Sequence, residues 1–431
     1  MINLLTSAGK TIVFKPEDKL LSVTTLSFDI AALELFLPLI SGGQVILAAR
    51  DTASDGTKLA RLIESSQATV MQATPTTWRL LIESGWAGKA ELRVLCGGEA
   101  LSRSVADALS ARAAKVWNFY GPTETTIWST AWRVEPEAAI TIGRPLANTQ
   151  LYILDEQLKP VPVGVAGELH IGGHGLARGY LGRPDLTAQR FIANPFSPES
   201  GSRLYKTGDW ARYQPDGNVE CLGRMDQQVK IRGFRIELGE IEATLRQHPS
   251  VANALVTART DASGEKRLVA YVQTRNDAPP ESQWREFILT KLPPYMVPSH
   301  FVTLKEFPLT PNGKIDARRL PQPGEVPTPE RPYLAPEDNC ERALAQIWEE
   351  VLSLPRIGRN EDFFALGADS LSATRAFARI NRRFGIDLPL RAIFANPSVG
   401  ALAAVVRNTA SSSAPRSIKP RRRSRVLKAA V

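Results

Sequence analysis

Residues 24 to 47, TTLSFDIAALELFLPLISGGQVIL, are almost entirely apolar, yet Asp29 stands among them. A desolvated, unpaired carboxylate is costly and tends to take up a proton. Asp29 therefore needs a partner, and nothing cationic lies near it in sequence. Two readings are open: it caps the helix that the pattern starts at Ile30, or its partner arrives from outside the chain. The turn NFYGPTETT, residues 118 to 126, follows an apolar strand. Gly121 exposes backbone amides there and Thr123 offers a hydroxyl, a set suited to phosphate oxygens. Glu124 could hold a Mg²⁺ between those oxygens. The same turn also reads as a plain strand-to-helix connection capped by threonine. Lys314 lies in the loop TPNGKID, where a lone lysine is ordinarily solvated surface. Ser370 precedes an amphipathic helix whose N-terminus favours an anionic phosphate, although a serine there is also an ordinary N-cap. His170 and His174 are four apart, but LHIGGHG reads as a strand running into a glycine turn, not as a metal pair.

The elements that position these residues follow from periodicity. Up to about residue 140, helical patterns alternate with short apolar strands: VTTLSF, QVILAA, ATVMQA, LRVLCGG and KVWNFY. This is an α/β layer with a mainly parallel sheet. From about 140 to 225, QLYILDEQ, GELHIGG and GNVECLGR with Gly and Pro turns suggest a small β-barrel or sheet. Next, RMDQQVKIRGFRIELGEIEATLRQHP gives a strand, a glycine turn and a helix. The strands VANALVTART, RLVAYVQT and HFVTLKE and the helix SQWREFILTKLP complete a compact α+β unit. The proline-rich PQPGEVPTPERPYLAPED is a stiff linker. Beyond it, ERALAQIWEEVL, SATRAFARINRRFG and PSVGALAAVVR are amphipathic helices with no strand between them, which fits a separate four-helix bundle.

Composition bounds the rest. The chain has 431 residues, 43% hydrophobic, enough for two or three domains. No run of about 18 uncharged apolar residues exists, so no membrane span is expected. The N-terminus lacks a signal-peptide pattern. Three distant cysteines, Cys96, Cys221 and Cys340, read as thiols of a cytoplasmic protein. The net charge of +9 misleads, because seven Lys and Arg follow from Arg416 onward with no acidic residue, leaving +2 elsewhere. That tail reads as a solvated, disordered end, and nucleic acid is not the expected partner.

YKTGDWARYQPDGNVECLGRMDQQVKIRGFRIELGEIE, residues 205 to 242, resembles the signature of adenylate-forming enzymes, especially the adenylation domains of non-ribosomal peptide synthetases. SFDIAALELF, NFYGPTE, GELHIGGHGLARGYLGRPDLT, LPPYMVP and NGKID match the family in order, so six motifs span about residues 20 to 320. The resemblance implies roles for matching positions. Tyr120 stacks against adenine beside the loop Gly98, Glu99 and Ala100. Thr123 touches phosphate and Glu124 binds Mg²⁺. Asp209, assisted by Arg224, accepts hydrogen bonds from the ribose hydroxyls of ATP. Lys314 neutralises charge as a carboxylate attacks the α-phosphate. Asp226 is the hinge about which a small C-terminal subdomain rotates between adenylate formation and thiol transfer.

For Asp29 the resemblance implies an external partner, the α-ammonium of an amino acid substrate. The other pocket positions are Ile30, Leu33, Gln72, Leu95, Gly97, Phe119, Ile127 and Trp128, with Lys314 on the substrate carboxylate. The set is bulky and mostly apolar, and it resembles the pattern of glycine-activating domains. Glycine is the expected substrate and alanine the nearest competitor. DFFALGADSLSATRAFARINRRFG, residues 362 to 385, resembles the thiolation site of a peptidyl carrier, with Ser370 receiving a 4′-phosphopantetheine arm from a phosphopantetheinyl transferase. Ala368 and Asp369 stand where the family often has glycine and histidine.

The expected organisation is a large adenylation subdomain over 1–225 (α/β layers plus a small β-barrel), a small α+β subdomain over 226–322 and a linker over 323–336. A four-helix carrier over 337–408 and a basic tail over 409–431 follow. The family's glycine-rich phosphate loop would precede residue 1, so the chain reads as starting inside the adenylation domain, with neighbouring synthetase modules as partners. An alternative is a carrier-only protein with an inert adenylation remnant. A coenzyme-A ligase for other carboxylic acids is disfavoured by Asp29 and the fused carrier.

Overall fold

A computed structural model describes residues 1–225, 228–231, 233–260, 266–275, 279–308, 316, 319–322, 333–352, 354–364, 366, 368, 370–386, 388 and 391–413. They fall into two compact units, Met1–Ala278 with Lys291–Arg319, and Pro279–Thr290 with Leu320–Val431.

The first unit begins with helix α1 (Ile2–Ile12) and a sheet built from β1 (Lys19–Ser22), β2 (Gln44–Leu47), β3 (Val70–Ala73), β4 (Lys89–Gly97), β5 (Ala113–Tyr120), β6 (Thr130–Arg133) and β7 (Arg144–Pro145). Its order is β2-β1-β3-β4-β5-β6-β7. The strands from β2 to β5 are parallel, and β6 pairs antiparallel with both β5 and β7. Helices α2 (Ile30–Ile40), α3 (Arg50–Ala53), α4 (Gly56–Ser66), α5 (Pro75–Glu83) and α6 (Arg103–Ser110) connect them. Helix starts obey local chemistry. The Asp55 side chain accepts from Lys58 N, Ser102 from Val105 N and Thr74 from Thr77 N, and Pro75 opens α5.

The two-residue period of the strands sorts the core. Leu21, Met71, Val94 and Cys96 enter one apolar cluster, and Leu20, Val70, Leu95, Trp117 and Phe119 enter another. Gln72, Gly97 and Phe119 therefore share the second face, at the carboxyl ends of β3, β4 and β5. The VTTLSF segment, expected as a strand, follows β1 instead. The amides of Val23 and Thr24 donate to the Glu34 carboxylate, so they are not free for a ladder.

One ion pair ties α1 to this sheet. Arg93 donates to the buried Asp18 and to the carbonyls of Ile12 and Val13, while Thr69 and the Lys15 amide also donate to Asp18. Burial works to raise the Asp18 carboxyl, but these donors outweigh it and hold it below its ordinary value. Asp18→Ala strands a guanidinium in a nearly dry site. It is expected to cost about 3 kcal/mol, read as a lower unfolding midpoint in urea. The stabilisation is complete above the ordinary carboxylate range and is lost as pH falls through the depressed folded value.

A second sheet comprises β8 (Thr149–Leu154), β9 (Gly167–Gly173), β10 (Phe191–Ala193), β11 (Arg203–Tyr213) and β12 (Val219–Arg224), all antiparallel, with α7 (Pro184–Arg190) before β10. A hairpin of β13 (Val229–Ile231) and β14 (Phe234–Ile236) leads into α8 (Leu238–Arg246). A three-stranded sheet of β15 (Val251–Thr260), β16 (Lys266–Thr274) and β17 (His300–Leu304) completes this unit.

The second unit contains α9 (Glu281–Leu289) and a bundle of α10 (Asn339–Leu352), α11 (Ser370–Phe384), α12 (Arg391–Ala395) and α13 (Val399–Ser413). Trp348, Phe363, Ile380, Leu402 and Val406 lie in its core. Among the described residues no helix is long and apolar enough to cross a membrane.

Candidate active site

Asp29 occupies the N-cap position of α2, but its side chain makes no cap bond. The capping reading is corrected. Asp29 already has helical φ and ψ of −57° and −31°, whereas a capping side chain needs an extended backbone to reach back. Its carboxylate instead accepts the Thr123 hydroxyl at 2.6 Å, across 94 residues. The structure thus brings Asp29 to the turn proposed for phosphate.

The pocket positions converge. Ile30, Leu33, Leu95, Phe119, Ile127 and Trp128 belong to one buried apolar cluster. Gln72 is opposite Leu95, and Gly97 opposite Phe119, in the sheet register. A Cβ on Gly97 would lie 2.5 Å from Trp128 Cη2 and 2.7 Å from the Phe119 carbonyl oxygen, so the indole fills the space above this glycine. Trp128 and Phe119 have ring centroids 5.9 Å apart. Two residues that rarely adopt positive φ, Thr126 at 64° and Ile127 at 69°, precede the indole. A Cβ on Gly121 would come within 2.3 Å of the Ile127 carbonyl. This strained fold-back turns Trp128 toward the pocket. Gln72 accepts the indole N–H at 2.9 Å and donates to Glu34 at 3.0 Å.

On the other side of the turn, Asp209 and Arg224 face each other across β11 and β12. Arg224 donates to Asp209 Oδ1 at 3.2 Å, and the Tyr120 hydroxyl donates to Asp209 Oδ2. Burial, with the Asp209 charge beside it, pushes the Tyr120 phenol well above its ordinary value, so it stays a donor. Glu99 accepts from the Thr76 amide and hydroxyl at 3.2 and 2.8 Å, and burial raises its carboxyl. Gly98 has φ of 86°, and Ala100 is exposed in the loop that follows.

Glu124 is buried and accepts the Tyr180 hydroxyl at 2.7 Å. Both its oxygens also accept from Arg235 Nη1, at 2.8 and 3.0 Å. Burial works to raise this carboxyl, but the guanidinium outweighs it and holds it low. An acceptor-only carboxylate has the right chemistry for Mg²⁺, yet here both oxygens serve a cation already. In this arrangement Glu124 does not fit a metal. Among the described residues no cluster of three His, Cys, Asp or Glu is placed to hold one.

Sequence reasoning missed the β13–β14 hairpin as a contributor. It carries Arg235 to Glu124 and places Lys230 Nζ 5.6 Å from the Tyr120 ring centroid. Gly233, with φ of 81°, is packed so that a Cβ would lie 2.7 Å from Thr74 Cγ2. The glycine turn was visible in sequence, but its destination was not. Glu34 was missed too, although it is a second carboxylate in the same apolar run that singled out Asp29. Lys314 and Asp226 lie outside the described residues. Ser370 opens α11, and its side chain lies outside the description.

Comparison with known proteins gives the family. The profile of the AMP-binding enzyme matches residues 1–181, that of the AMP-binding enzyme C-terminal domain 240–314, and that of the phosphopantetheine attachment site 342–406. A dimodular nonribosomal peptide synthase of Bacillus subtilis (strain 168) is 48% identical over 405 residues, covering 93% of this chain and 17% of the relative. The chain thus spans about a sixth of that protein's length. A four-domain nonribosomal peptide synthetase, holo-AB3403, solved with AMP and glycine, is 42% identical with a TM-score of 0.52, over 97% of this chain and 31% of that one. Holo-PA1221, with adenylation and PCP domains bound to a vinylsulfonamide inhibitor, is 29% identical with a TM-score of 0.68, over 92% of this chain and 67% of that one. Adenylation domains use ATP and Mg²⁺, and the attachment-site match assigns the bundle a covalent phosphopantetheine. The chain belongs to the adenylate-forming ligases, as an adenylation–carrier fusion of the non-ribosomal peptide synthetase kind.

Proposed function

We propose that the domain activates glycine with ATP, giving glycyl-adenylate and pyrophosphate, and passes the glycyl group to a pantetheine thiol on Ser370. The observation that carries this is the Trp128 indole, whose Cη2 lies 2.5 Å from where a Gly97 Cβ would be. With Phe119 packed behind it, the pocket suits an amino acid without a side chain. The 42% identical synthetase solved with AMP and glycine supports the same size class.

Asp29 binds the α-ammonium, and the Thr123 hydroxyl that donates to it orients the carboxylate. One substrate carboxylate oxygen then attacks the α-phosphorus, the bond to the β-phosphate oxygen breaks, and pyrophosphate leaves. Lys314 offsets the charge that develops there. Asp209 accepts ribose hydroxyls through the lone pairs left by Tyr120 and Arg224, since an ionised carboxylate offers about four acceptor sites. In the second step the pantetheine sulfur attacks the acyl carbon and AMP departs.

The proposed boundaries are 1–225 and 226–322 for the adenylation subdomains, 323–336 for the linker, 337–408 for the carrier and 409–431 for the tail. The reading requires a phosphopantetheinyl transferase and adjacent synthetase modules as partners.

Two measurements test it. Intact-mass spectrometry of the full chain after coenzyme A and a phosphopantetheinyl transferase should show one pantetheine arm, and glycine with ATP should then add one glycyl group. Holo protein that never loads would favour the carrier-only reading. Loading of a large amino acid in place of glycine would overturn the substrate. Gly97→Ala places a methyl against Trp128 and the Phe119 carbonyl. Where overpacking of about 1–3 kcal/mol falls on the bound glycine, glycine-dependent pyrophosphate exchange should drop about fivefold or more.

A further inference from the structure

Glu34, five residues beyond Asp29 on α2, is fully buried at 0% exposure. Every polar contact it makes is with a donor. The Ser22 and Thr24 hydroxyls reach it at 2.8 and 2.5 Å, the Val23 and Thr24 amides at 3.0 and 3.1 Å, and Gln72 Nε2 at 3.0 Å. Burial raises its carboxyl while these donors oppose the rise. A carboxylate among donors alone accepts and does not donate.

That property decides the sense of the neighbouring amide. Gln72 must turn its NH₂ toward Glu34, and the Ile30 carbonyl accepts from the same nitrogen at 3.2 Å. Its oxygen then faces Trp128, whose indole N–H is a donor only and meets it at 2.9 Å. Reversing the amide would set NH₂ against the indole N–H and oxygen against oxygen. The indole is thereby held in the pose that puts Cη2 over Gly97.

We propose that Glu34 is a specificity-positioning residue, which through Gln72 pins Trp128 across the amino-acid pocket and so sets its size limit. The inference rests on the glycine reading above. Pocket size then depends on a buried polar relay from three elements, α2, β3 and the strained turn before β6, as well as on the bulk of the indole. Without the relay the indole can swing away from Gly97 and admit a side chain.

The test uses the full chain with Glu34→Gln and Gln72→Leu, singly and together, each checked for cooperative unfolding. The indole N–H resonance of Trp128 is assigned by its loss in Trp128→Phe. Glu34→Gln should move that resonance upfield and speed its exchange with solvent. Glycine-over-alanine preference in pyrophosphate exchange should drop at least about fivefold in either single variant. In the double variant it should drop no further than in Gln72→Leu, because Glu34 acts through that amide. A purely structural Glu34 would lower stability without moving the ratio or the resonance. An unchanged Trp128 resonance in folded Glu34→Gln overturns the inference, and so does an intact glycine preference in both folded single variants. A wild-type chain that prefers a bulky amino acid overturns the glycine reading and this inference with it. Absence of exchange with every amino acid overturns the activation reading, while the resonance still decides the relay.

Discussion

Asp29→Ala is expected to lower amino-acid-dependent pyrophosphate exchange by about 10²–10³-fold, with most of the loss in KM for the amino acid. The estimate takes about 3–4 kcal/mol for removing one partner of an ion pair that the bound substrate closes off from water, at about 1.4 kcal/mol per tenfold. The proposed partner is the substrate's ammonium, because the Asp29 side chain makes no helix-cap bond and, among the described residues, accepts from the Thr123 hydroxyl. Asp29→Asn keeps the shape and the capacity to accept from Thr123 but removes the charge, so it should lose nearly as much. Thr123→Ala should lose less, since it leaves the carboxylate in place. Glycine activation that survives in Asp29→Asn at near wild-type KM would mean that the carboxylate merely braces the turn. The ammonium assignment would then fail.

Ser370→Ala is expected to abolish covalent attachment of the pantetheine arm altogether, because it removes the proposed acceptor hydroxyl at the first residue of α11. The effect is all-or-none at the level of intact mass. Glycyl-adenylate formation should persist, since Asp29, Asp209 and Trp128 lie in the other compact unit. Loss of pyrophosphate exchange in this variant would contradict a carrier that acts only after activation. Retention of the arm would place the attachment elsewhere, and peptide mapping would find it.

Much of the architecture was legible in sequence because it is local. Alternating apolar runs marked β3, β4 and β5, and the helical period marked the carrier helices. VTTLSF was misread because its amides serve a carboxylate on α2 instead of a neighbouring strand. The apolar stretch that exposed Asp29 contains Glu34 as well, and the same cost of burial applies to both. Its role could not be read, since its functional contact, Gln72, lies 38 residues away.

By itself the sequence determined the kinds of chemistry on offer: acids in an apolar run, a turn rich in donors, a serine before a helix, six motifs in order. Each is set by residues close together in the chain, where pattern and spacing act directly. Only the tertiary structure decided who meets whom. It turned Asp29 away from its own helix toward Thr123, set Arg235 on Glu124 across 111 residues, and joined Glu34, Gln72 and Trp128 into one relay. Such pairings depend on which strands lie side by side and on how a turn folds back. Those are properties of packing, which spacing along the chain does not encode.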